Sequence, residues 1–173
     1  MVCLLKDIVK TLEILFLGLV VAVFVYPFSH ELGHSIFAFL SGTKVFEFTI
    51  FPVPSILCNM SDASVLQYLL IGLGGMVFPL VVSVAFHPKH FVWWYIDFVV
   101  KVISIIAFGI SIVGIIMYKT NVPIKNEDIT TTLLAVPDLW VSLLLLCILA
   151  ELILILSIIK SQPIKHIEKF YGI

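Results

Sequence analysis

Tyr26-Pro27-Phe28-Ser29-His30-Glu31-Leu32-Gly33-His34 stands directly behind a long apolar run and contains the pattern H-E-x-x-H at residues 30–34. On a helix, positions four apart share a face, so the imidazoles of His30 and His34 lie one turn apart and can hold one zinc ion. Glu31 adjoins them and is placed to take a proton from a zinc-bound water. Ile14 to Phe28 carries no charge, and Ile36, Phe37, Ala38, Phe39 and Leu40 are again apolar. The pattern therefore falls inside a membrane or at its edge, where ionisable groups are costly and default to function.

Composition agrees with that placement. The chain has 173 residues, 61% hydrophobic and 12% charged, too apolar for a soluble domain and short enough to be one domain, 1–173. The net charge of −1 gives no reason to expect a nucleic-acid partner. Cys3, Cys58 and Cys147 are scattered and form neither a zinc pattern nor a disulfide framework. No small-residue cleavage site follows the first apolar run, so a cleaved signal peptide is not expected.

Outward from the motif, residues 11–40 read as one helical stretch. Pro27 removes a backbone donor, which predicts a kink that turns the motif toward a protein cavity. Ser41-Gly42 ends the helix. Thr43 to Phe51 then alternates, Val45, Glu47 and Thr49 against Phe46, Phe48 and Ile50, which is a strand period closed by Pro52 and Pro54. Such a strand, 45–51, can hold an extended peptide by edge addition or be a plain interfacial hairpin.

Three more spans follow. Ala63 to Phe86 is uncharged, with Gly72, Gly74 and Gly75 permitting close helix approach. His87-Pro88-Lys89-His90 reads as a solvated loop, and Trp93, Trp94 and Tyr95 as an interfacial aromatic belt. Phe98 to Tyr118 is the third span, with Lys101 able to snorkel. Leu139 to Ile159 is the fourth, interrupted by Glu151, which should face the bundle interior. The lysine distribution favours both termini in the cytoplasm. The expected fold is an all-α polytopic membrane protein of about four transmembrane helices, with a short strand or hairpin after the motif helix.

A catalytic zinc takes three protein ligands and keeps one position open. The metzincin pattern is excluded, because Phe37 and Leu40 occupy the positions of its glycine and third histidine. Glu151 is the one glutamate on a later span. Asp128, before Ile129, and Asp138, before Leu139, can each begin a helix, where a carboxylate is favoured as a cap.

The run HELGHSIFAFLSGTKVFEFTIFP, residues 30–52, resembles the core of the site-2 protease family of intramembrane zinc metalloproteases. In that family a Gly turn, a short strand ending in an apolar-Phe-Pro step and a Gly-rich helix follow the motif; Gly72-Leu73-Gly74-Gly75-Met76-Val77-Phe78-Pro79 resembles that helix. The resemblance covers residues 30–86 and extends beyond them by layout. The family's third ligand is an Asp in a Leu-Asp-Gly step, which this chain lacks. Asp128, in Asn126-Glu127-Asp128 before an apolar helix as in small members of the group, is the expected third ligand, with Asp138 as the alternative.

The resemblance implies a multi-pass enzyme of the cell membrane. Zn²⁺ would be held by His30, His34 and Asp128, Glu31 would be the catalytic base, and transmembrane protein segments would be the substrates. The competing expectation is a non-catalytic membrane protein that keeps this fold to bind a partner helix or a metal. A small transporter is disfavoured, since four spans without inverted repeats give no alternating-access pair.

Overall fold

The computed structural model describes residues 2–50, 54–122, 124 and 127–172, with side chains from Leu5 onward. The described chain is mostly helical. Helix α1, Val2–Val20, passes through a π-helical turn, Val21–Val25, into α2, Tyr26–Leu40. A two-stranded antiparallel sheet follows, β1 Val45–Thr49 and β2 Ser55–Cys58, then α3, Val65–Ala85, and α4, Phe91–Lys119. Short α5, Asp128–Ala135, and a 3₁₀ turn, Pro137–Leu139, lead to α6, Trp140–Lys160, and α7, Pro163–Tyr171. Four helical stretches are long and apolar enough to cross a membrane: Leu5–Leu40, Val65–Ala85, Phe91–Lys119 and Pro137–Lys160.

The first stretch departs from a simple proline kink. Pro27 has no N–H for the helix ladder and its ring crowds the carbonyl one turn back. The chain answers with the wider turn Val21–Val25, which relieves the crowding before Pro27 takes a place in the first turn of α2. Ser41 and Gly42 close α2 as expected, Gly42 with a φ of 75° that suits glycine.

Helices α2 and α3 pack through their glycines. A Cβ on Gly33 would strike the Gly74 backbone, and one on Gly74 would press on Phe37, so the two backbones approach as larger residues would forbid. Ser64 and Gln67 form a reciprocal capping box at the start of α3. The core lies between α3, α4, α5 and α6, around Met76, Phe108, Ile115, Leu133, Cys147 and Leu154. Helix α1 adds little to it. Its Leu5, Leu12, Leu15, Phe16 and Leu19 are exposed. Glu151 lies against α4, its Oε1 3.3 Å from where a Gly109 Cβ would stand, in keeping with an inward-facing glutamate.

Three expectations need correction. The third span begins at Phe91 and not Phe98, so residues 93–95 lie within α4. Trp93 is exposed, but Trp94 is buried, stacked on His166 at 4.5 Å and on Phe98 at 5.4 Å. Lys101 does not snorkel. It is 2% exposed, and its ammonium donates to Asp97 Oδ2 at 2.6 Å, one turn back on the same helix. Asp97 and Lys101 can pair in this way because α4 begins upstream of both. The strand 45–51 is shorter than its alternation suggested, ending at Thr49, and a bulge between Val45 and Glu47 breaks the period. Phe51, Pro52, Pro123, Lys125 and Asn126 lie outside the described residues, and with them the Phe-Pro step and the first residue of Asn126-Glu127-Asp128.

Candidate metal centre

Helix α2 presents His30 and His34 on the face that α3 covers, the rings meeting edge to face at 4.7 Å. Their Nε2 atoms are 3.1 Å apart. Asp128 Oδ2, from the first turn of α5, stands 2.9 Å from His30 Nε2 and 3.3 Å from His34 Nε2. The histidines and Asp128 are thus brought together, as the sequence suggested. Asp138 is exposed in the 3₁₀ turn, and neither it nor Glu151 belongs to the cluster.

The surroundings fix this arrangement. His34 is buried, and its Nδ1–H donates to the Ile71 carbonyl at 2.6 Å, which leaves the lone pair of a neutral ring on Nε2, facing the cluster. Gly75 lies under both rings, and a Cβ there would run into His34 Nε2 and approach His30 Cε1 to 2.8 Å. Asp128 is free to reach the histidines because its neighbour does the capping. Glu127 accepts from the backbone of Ile129 and Thr130, from the Thr130 hydroxyl at 2.7 Å and from the Ser111 hydroxyl at 2.6 Å. Two adjacent acids before an apolar helix divide the cap and the site between them, Glu127 taking the cap and Asp128 the site. His30 lacks the support His34 has, since its Nδ1 is buried with no partner among the described residues.

The donor set suits zinc. Three electron-rich atoms crowd within 2.9–3.3 Å of one another, and only protons or a cation between them make that tolerable. A tetrahedral ion with bonds of about 2.0–2.1 Å sets its ligand atoms about 3.3 Å apart, close to the observed edges. When protons fill the gap, the imidazoles donate to Asp128. Burial opposes charge on that carboxyl, yet the bonds from His30 and His34 outweigh burial and hold it well below the usual carboxylate range.

Two cavities meet at the cluster. One, about 450 Å³, is lined by Glu31, His34, Gly72, Asp128, Thr131 and all four residues of β2. The other, about 400 Å³, reaches His30, Glu31 and Asp128 from the side of Ser111 and Glu127. Glu31 and Asp128 line both. The strand beside the site is therefore β2, whereas the alternation in the sequence had pointed to residues 45–51. Four residues after a proline pair are too few to show a period.

No family model matches this chain, and no curated protein or solved structure matches it. The geometry of the cluster and its two cavities carries the functional argument by itself.

Proposed function

We propose that the chain is a multi-pass intramembrane zinc endopeptidase of the site-2 protease type, seated in the cell membrane and cutting transmembrane segments of other proteins. The observation that carries this reading is the meeting of His30 Nε2, His34 Nε2 and Asp128 Oδ2 beside Glu31, at the junction of two cavities. His30, His34 and Asp128 would hold the ion. Zinc, when bound, supplies a Lewis acid and brings the pKa of a water toward about 7.

The residues of the chain do the rest. Glu31 accepts the proton of the attacking water and passes it to the leaving amine. The cavity beside Ser111 and Glu127 offers water a polar approach to Glu31. A substrate helix hides its peptide bonds in its own hydrogen bonds, so it must unwind before it is cut. β2 lines the opposite cavity and is paired with β1 on one side, which leaves its other edge for an extended segment. The motif lies six to ten residues from the hairpin end of α2, roughly 9–15 Å along the axis, which is within the depth of a hydrocarbon layer about 30 Å thick.

Elemental analysis and cleavage of a transmembrane reporter test the proposal together. The purified chain should carry one zinc, and His34→Ala should lose it. Glu31→Gln should keep the metal and cleave at least about 100-fold more slowly. A Glu31→Gln protein that cleaves at the parent rate refutes the assigned base. A chain that holds zinc but cleaves nothing is a metal-binding membrane protein without proteolytic activity.

A further inference from the structure

Helices α1, α4 and α7 meet at one end of the molecule, where Lys10 donates to the Phe170 carbonyl at 2.9 Å and Phe91 stacks on Phe170 at 4.0 Å. Here a third cavity, about 410 Å³, lies between the end of α3, the start of α4, the end of α6 and α7. The Asp97–Lys101 pair lines it, with side chains only 5% and 3% exposed. The pair is not self-sufficient. Asp97 Oδ1 is buried without a partner among the described residues, and so is Nε1 of Trp94, which lines the same cavity. The wall thus offers one unmet acceptor, one unmet donor and an ammonium with N–H groups to spare.

Charge there is one-sided. Lys160 lines this cavity, and an adjoining one of about 340 Å³ adds Lys89 and Lys169. Asp97 is the one carboxylate among the described residues lining the two, against four lysines. Asp97 and Phe86 also line an apolar slot of about 190 Å³, walled by Val25, Pro79, Val82 and Val100. A cationic polar chamber joined to an apolar slot, at one end of a bundle that could span a bilayer, has the shape of a headgroup and the start of its acyl chain. Helix α7 supports this placement, with Ile164 and Ile167 exposed beside Lys165 and Lys169, as in a helix lying in the interface.

We propose that this chamber binds one anionic glycerophospholipid. Lys101, Lys160 and the Trp94 indole N–H donate to the phosphodiester. A headgroup hydroxyl donates to Asp97 Oδ1, and the first part of an acyl chain enters the apolar slot. The partner is a phosphate ester carrying both hydroxyl donors and a lipid tail, and its site is separate from the histidine cluster: Lys101 and Ser111 are ten residues apart on α4, about 15 Å.

Native mass spectrometry of the full chain, released from phosphatidylcholine nanodiscs doped with phosphatidylglycerol, tests this. The expected result is one phosphatidylglycerol per chain retained in preference to phosphatidylcholine. Lys160→Gln should lower that preference about five-fold. Trp94→Phe, which keeps an aromatic ring but removes the N–H together with the five-membered ring, should lower it by a smaller factor. Lys44→Gln, at the hairpin end, should leave it unchanged. Three results overturn the proposal: no preference in the parent, an equal loss in Lys44→Gln, or displacement of the lipid by soluble glycerol phosphate at matched concentration.

Discussion

The histidine cluster and the Asp97–Lys101 pair are two polar centres in the same apolar bundle, and they solve opposite problems. Asp97 and Lys101 lie one turn apart on one helix and largely cancel each other's charge. His30, His34 and Asp128 come from two elements, and all turn electron-rich atoms toward one point. The pair is costly to break. The cluster is costly to leave without protons or a cation. A polar group inside apolar surroundings therefore says little until its partner is known: opposite charges point to a packed or anchoring role, while converging donors point to something bound.

The contrast can be broken at either centre. The largest effect should follow Asp97→Asn, which leaves the Lys101 charge buried and unpaired. Denaturation in detergent micelles should show a loss of about 3–5 kcal/mol, with most of it recovered when Lys101→Met is added. Asp128→Asn, which relieves crowding among like donors, should not cost that much. Acid should act next. The imidazoles must be neutral to bind metal, so lowering the pH from 7.5 to 5.5 should weaken zinc affinity between ten- and a hundred-fold by competition titration. The smallest effects separate neighbouring acids. Glu127→Gln should cost about 1 kcal/mol through its weakened cap, with a several-fold loss in zinc affinity as Asp128 loosens. Asp138→Asn, exposed and remote from the histidines, should change stability by less than about 0.5 kcal/mol and leave zinc affinity alone.

Much of this was legible in the residues. The spacing of His30 and His34 put both rings on one helix face, and the apolar flanks put that face among spans. Asp128 was legible as a helix start, and the resemblance pointed to it as the ligand, but the capping role of Glu127 was not legible, because two consecutive acids satisfy the same capping rule. Lys101 was misread because hydropathy marks where apolar residues become dense, not where a helix begins. Phe91 to Asp97 is aromatic and carries one charge, so hydropathy starts the span at Phe98 and leaves Asp97 outside the helix that holds its partner. The i, i+4 spacing of Asp97 and Lys101 was the signal that could have found the pair. The role of β2 was hidden by its length.

One small irregularity upstream bears on everything at the cluster. Regular α-helix advances about 100° per residue, so the wider turn at Val21–Val25 offsets the residues after it relative to those before it. Helix α1 keeps most of its side chains exposed, while α2, its direct continuation, turns two imidazoles inward. Deleting a single residue from that turn would restore an even winding and swing both rings around the helix axis, away from Asp128. Every ligand would still be present in the gene product, but the ion would have nowhere to sit.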